Sequence, residues 1–150
     1  MKKLITLCLI LFVQILPINS SNSNEIKRIV IGDLDAKIDI IAYESLTCSH
    51  CADFHINIFP SLKRDYIDTG IAKVEFRHFP LDGAAFNASK IAQCKNDGSS
   101  DILNVLYFNQ SKWIKGNTVD EVNNNLKKFL TSEGLDVDFN KCTTNKDIEE

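Results

Sequence analysis

The spacing of apolar residues changes three times along the chain. Leu4 to Leu16 is one continuous apolar run behind Lys2 and Lys3, and Asn19, Ser20 and Ser21 follow it. That order predicts a signal peptide over residues 1–20. The run is short for a membrane-spanning helix, so an uncleaved anchor is the alternative. Residues 21–28 read as a polar linker, with Ile26 to Ile31 suited to a short edge strand. Gly32-Asp33-Leu34-Asp35 reads as a turn. Ile38 to Tyr43 is short, continuous and β-branched, which predicts a buried strand. A helix is expected from about Cys51 to Tyr66 or Asp68, kinked at Pro60 and capped by Gly70. Ile71 to Phe79 alternates as a second strand, and Pro80 ends it.

From Gly83 the rhythm is helical. Ala84 to Lys95 carries Phe86, Ile91, Ala92 and Cys94. Ile102 to Trp113 predicts a second helix, with Tyr107, Phe108 and Trp113 as helical-region core. Thr118 and Glu121 have capping-box spacing at the head of a third helix. Its apolar stripe is Val122, Leu126, Phe129 and Leu130, and Gly134 caps it. Asp138 opens a fourth helix carrying Cys142. Residues 29–82 are thus an α/β part and residues 83–150 a helical region, within the length of one domain.

Composition narrows the function classes a little. A net charge of −3 argues against nucleic acid as the main partner. The five cysteines are more informative. Cys8 falls in the predicted signal peptide and leaves four. An even number in an exported chain points to disulfides. Cys48 and Cys51 pair by spacing, and Cys94 and Cys142 then pair across the helical region. Closing so long a loop stabilises by roughly 2–4 kcal/mol. Two separate buried thiols are the alternative for Cys94 and Cys142.

Cys48-Ser49-His50-Cys51 lies where the strand ending at Tyr43 gives way to a helix. A thiolate is the species that attacks or leaves in disulfide exchange. At a helix N-terminus, unpaired N–H groups and the helix dipole favour that thiolate. Cys48 is therefore the expected nucleophile and Cys51 the resolving thiol. His50 between them can tune the Cys48 thiolate. A structural disulfide or a pair of inert thiols is the bland alternative. Metal binding is another, because Cys48, Cys51 and His55 fall at i, i+3 and i+7 and offer soft ligands to copper or zinc. Haem attachment is excluded by Ala52, where C-x-x-C-H requires histidine. His55 otherwise reads as a packing or surface residue, and His78 as a strand end. Glu44 and Asp53 would shift the thiolates only if buried, and exposed carboxylates are commoner.

The segment Glu44-Ser45-Leu46-Thr47-Cys48-Ser49-His50-Cys51-Ala52-Asp53-Phe54-His55 closely resembles the active-site segment of DsbA-like thiol–disulfide oxidoreductases. Ile31 to Ala36 and Phe76 to Asp82 resemble the approach to the first core strand and the second core strand with its exit. The resemblance runs from about Ile29 to Cys142. It implies a thioredoxin-like α/β fold with a helical insertion, in a periplasmic enzyme that needs no cofactor. The implied partners are reduced or misoxidised exported proteins and a membrane quinone-linked reoxidant. Ser49 stands where the best-known members carry proline. Members of the family return to the sheet after the helical insertion with two strands and a last helix, and a cis-proline begins the first of those strands. Only Pro17, Pro60 and Pro80 occur here. The expectation is therefore a fold without the C-terminal strands and last helix. An inactive truncated remnant is accordingly a reading beside the enzyme and the metal-binding export module.

Overall fold

The computed structural model describes residues 25–148. The predicted signal peptide and residues 21–24 of the linker lie outside them. Among the described residues, no helix is long and apolar enough to cross a membrane.

Three strands form one mixed sheet in the order β1-β3-β2. They are β1 (Ile29–Ile31), β2 (Ile38–Glu44) and β3 (Ala72–His78). β1 runs antiparallel to β3, with Ile29 opposite Phe76. β2 runs parallel to β3, with Ile38 opposite Ala72 and Glu44 opposite His78. The tight turn after β1 depends on Gly32. Its φ is +115°, and an added Cβ would lie 2.9 Å from Ile67 Cγ2 and 3.0 Å from the Ala72 carbonyl.

A parallel pair needs a crossover, and a helix supplies it. This helix, α1, passes in succession through Ser49–Asp53, Phe54–Ile58, Phe59–Leu62 and Lys63–Ile67. The second and fourth pieces are wide turns: Phe59 N–H donates to the Phe54 carbonyl and Asp68 N–H to that of Lys63. Pro60 has no N–H and its ring crowds the carbonyl one turn back. The wide turn ahead of it is where the expected kink is absorbed. Gly70, at φ +74°, ends the helix and donates to the Ile67 carbonyl at 3.0 Å.

Five further helices follow: α2 (Gly83–Gln93), α3 (Asp101–Phe108), α4 (Gln110–Trp113), α5 (Val119–Ser132) and α6 (Phe139–Thr144). The single helix expected over 102–113 is two, broken at Asn109. Thr118 Oγ1 accepts from Glu121 N–H, but Glu121 reaches back to Asn117 N–H rather than to Thr118. Tyr107 and Trp113 are fully buried, whereas Phe108 is 54% exposed and leaves the predicted core. Cys94, after α2, is disulfide-bonded to Cys142 on α6, with their Cα atoms 5.4 Å apart. Among the described residues no strand follows β3 and no peptide bond is cis.

One hydrophobic core joins the two parts. Ile29, Val74 and Phe76 come from the sheet, Phe59 and Ile67 from α1, and Leu103, Tyr107 and Leu126 from the helical region. That core covers one sheet face only. β2 was expected to be buried, yet Ile41 and Tyr43 are 45% and 60% exposed. They share the open face with an ion-pair lattice: Lys73 to Asp39 at 3.0 Å and Arg77 to Glu75 at 2.7 Å. The physical reason is alternation. Ile40 and Ala42 point to the helices, and their neighbours in sequence point away.

Candidate functional site

The dithiol sits where β2 passes into α1. Cys48 is the N-cap, with extended backbone at φ −79° and ψ 118°, and its Sγ accepts from Cys51 N–H at 3.4 Å. Ala52 N–H donates to the Cys48 carbonyl at 3.2 Å and opens the helical ladder. Both cysteines are free and half-buried.

Their environments push the two thiols apart. The Cys51 thiol, hydrogen-bonded to Cys48, holds the Cys48 pKa below its ordinary value, and the N–H groups of Cys51 and His50 add to this. Burial and the Glu44 charge oppose it. Burial pushes the Cys51 thiol up to about 11, and the same hydrogen bond and the negative charges of Cys48 and Glu44 act in that direction. Of the two thiols, Cys48 is the one favoured to ionise and Cys51 the one favoured to keep its proton. His50 contributes its main-chain N–H to Cys48, and its side chain is exposed.

Three distant residues, two by side chain and one by main chain, fix the loop ahead of Cys48. Gln110 Nε2, on α4, donates to the carbonyls of Leu46 at 2.9 Å and Cys48 at 3.0 Å. Thr47 Oγ1 donates to Asp82 Oδ2 at 2.7 Å, while Asp82 Oδ1 caps α2 through Ala85 N–H. Ser45 Oγ accepts from Leu81 N–H at 3.3 Å. The helical region thus holds the strand-to-helix corner at several points. Sequence gave no signal for these contacts, which join residues 35 or more apart.

Below the dithiol lies a buried acid–imidazole pair. His55 Nε2 and Glu44 Oε2 are 2.7 Å apart, with side chains 0% and 8% exposed. The His55 ring stacks on Tyr107, with centroids 4.1 Å apart and planes at 14°, and packs against Phe76 and Phe59. Glu44 is therefore not the exposed carboxylate that its type suggested. A readable signal existed. Glu44 continues the inward alternation of Ile40 and Ala42, and His55 lies one helical turn after Cys51. His78 ends β3 beside Glu44 in register, and burial pushes its pKa down to about 4. Asp53 is exposed and accepts a hydrogen bond from Asn57.

The metal alternative required His55 to join the two cysteines. Its ring is instead committed to Glu44 and Tyr107. Among the described residues, no three His, Cys, Asp or Glu side chains are grouped to hold a metal ion.

A thioredoxin-type sheet and crossover helix, with a dithiol at their junction, define a class, and comparison with known proteins agrees with it. The family model described as Thioredoxin matches residues 24–150. The chain belongs to the thioredoxin family, and within it resembles the DsbA-type thiol–disulfide oxidoreductases. A Rickettsia bellii protein whose name describes a protein-disulfide oxidoreductase is 34% identical over 128 residues, covering 81% of this chain and 47% of that protein. The crystal structure of α-DsbA1 from Wolbachia pipientis superposes with a TM-score of 0.67 at 33% identity, covering 88% of this chain and 63% of that one. A protein-disulfide isomerase from Novosphingobium aromaticivorans shares the fold at a TM-score of 0.67 and 19% identity, over 79% of this chain and 72% of that one. The chain spans about half the length of the Rickettsia relative.

Proposed function

We propose that the chain is an exported thiol–disulfide oxidoreductase that promotes disulfide formation in other exported proteins. The observation that carries this reading is the asymmetry of the dithiol. Cys48 caps the head of α1 with its thiolate favoured, while Cys51 lies deeper with its proton retained. That asymmetry suits exchange chemistry, in which a low-pKa thiol is both attacked first and the better leaving group.

In the oxidised chain, a substrate thiolate attacks Cys48 Sγ. The Cys48–Cys51 bond breaks, and Cys51 takes the electron pair and then a proton. A second substrate thiolate attacks the substrate sulfur of the mixed disulfide. The substrate disulfide forms and Cys48 leaves as its favoured thiolate. The roles of Cys48 as nucleophile, Cys51 as resolving thiol and the His50 N–H as a thiolate donor belong to this proposal. So do the periplasmic location, the reduced exported proteins as substrates and a membrane quinone-linked reoxidant. The family match and the names of the relatives support the thiol–disulfide oxidoreductase part of the reading.

The test is a redox titration of the purified chain in glutathione buffers, read by alkylation of Cys48. The expected result is an oxidising midpoint, with Cys48 alkylated rapidly at acidic pH. A midpoint and alkylation profile like those of an unstructured dithiol peptide would sink the proposal.

A further inference from the structure

We infer that the cavity between β1, the end of β3 and α2 is a binding site for a small neutral phenol, a single ring bearing one hydroxyl. The inference is independent of the dithiol, because no residue of the 44–55 segment lines the cavity.

The chain makes this cavity by diverting a strand. β1 opens at Ile29, opposite Phe76, whereas β3 runs on to His78. Continued in the same antiparallel register, Lys27 would stand opposite His78. Both main-chain groups of Lys27 go elsewhere. Its N–H donates to Asn96 Oδ1 at 2.7 Å, and its carbonyl accepts from Gln93 Nε2 at 2.8 Å. Asn96 Nδ2 also donates to the Glu25 carbonyl at 3.1 Å. Asn96 follows α2 in left-handed backbone, at φ +47°, a conformation that asparagine tolerates better than most residues. The segment before β1 is thus tied to the tail of α2, and the end of β3 has no strand beside it on that side.

The opposite wall comes from helical spacing. Phe86, Ser89, Lys90 and Gln93 recur at three and four residues and share one face of α2. That face meets the end of β3 across a cavity of about 180 Å³. An apolar cavity of about 150 Å³ holds benzene, so there is room here for one ring and a small substituent. Ile29, Phe76, Pro80 and Phe86 supply apolar walls, and Phe86, 39% exposed, stands at the mouth.

Two polar residues that line the cavity hold buried atoms without a hydrogen-bond partner. They are Ser89, 5% exposed, at its Oγ and His78 at its Nε2. Most buried polar atoms are paired, and an unpaired one costs stability. Burial keeps the His78 ring neutral. The guanidinium groups at the rim are already engaged, because Glu75 meets Arg77 at 2.7 Å and Arg28 at 3.4 Å. An anion would have to displace Glu75 from them. Lys90 Nζ lies 5.4 Å from the centre of the Phe86 ring. A phenol answers the unpaired atoms without a charge. Its hydroxyl donates to a bare ring nitrogen and accepts from Ser89 Oγ–H, while its ring covers the apolar walls.

The experiment titrates the isotope-labelled chain with p-cresol and separately with toluene, which has the same shape without the hydroxyl, and follows amide resonances by NMR. The expected result is saturable shifts at Ile29, Phe76 and Ser89 with p-cresol. Toluene is expected to bind roughly tenfold more weakly, the usual worth of one hydrogen bond. Ser89→Ala should weaken p-cresol towards toluene and leave toluene unchanged. Equal affinities for the two compounds would overturn the inference even if Ser89→Ala did not fold, because the unpaired polar atoms would then select nothing. No saturable shift around the cavity with p-cresol would overturn it as well.

Discussion

At the scale of single residues, the two thiols of one motif acquire opposite habits from their surroundings. Cys48 should react with iodoacetamide well below the pH at which a free cysteine does, while Cys51 stays unreactive until the pH approaches about 11. Mass-resolved alkylation rates against pH check this. The same asymmetry affects stability. The folded-state pKa of Cys51 is raised from 9.0 to about 11, so the reduced fold gains from keeping that proton. The gain is complete below about 9 and is lost as pH rises through about 11. The denaturation midpoint of the reduced chain should fall across that interval, and Cys51→Ser should remove the fall. His55 makes a second residue-scale case. His55→Ala would leave the Glu44 carboxylate buried without its partner and open a gap among aromatic rings. A loss of about 3–5 kcal/mol in denaturant unfolding is expected.

At the scale of elements, the helical region acts on the dithiol through few bonds. Gln110 joins α4 to the main chain of Leu46 and Cys48, and Asp82 joins the head of α2 to Thr47. Gln110→Ala should cost about 1 kcal/mol, the usual net worth of such hydrogen bonds. It should also speed hydrogen exchange along residues 46–51 more than elsewhere. The disulfide between Cys94 and Cys142 ties α2 to α6 across 48 residues. Replacing both cysteines with alanine should lower stability by about 2–4 kcal/mol. Cys48 alkylation should be unchanged in that variant, because neither cysteine contacts the α1 corner in the hydrogen-bond network around it.

At the scale of the whole molecule, the sheet has one covered face and one bare face. Ile41 and Tyr43 lie on the bare face of β2, and β2 is an edge of the three-stranded sheet. Such edges template pairing with other chains. Ile41→Lys should reduce concentration-dependent light scattering without changing the far-ultraviolet circular dichroism. This face also shows where sequence reasoning reached its limit. A run such as Ile38 to Tyr43 marks a strand, but its composition does not say how many faces will be covered. The site divides in the same way. The position of Cys48 and Cys51 at a strand-to-helix corner was legible, because two local periodicities meet there. Glu44 and His55 were legible in part, as an inward alternation and a helical spacing, but their pairing and the role of Gln110 were not, because these depend on which distant elements pack on that corner. Glu44 is a carboxylate like any other until α1 and α3 close over it. Gln110 has no motif around it at all.

The grip of Gln110 on the Cys48 carbonyl spans 62 residues. A ribosome adding about 5–20 residues per second needs roughly 3–12 s to make that stretch. During that interval the dithiol exists as chemistry without its outer support, so the corner is completed late in the life of the nascent chain. The Cys48 thiol and the part that steadies it are separated in time as well as in sequence. A chain interrupted before residue 110 would carry both cysteines and lack the clamp that holds them in place.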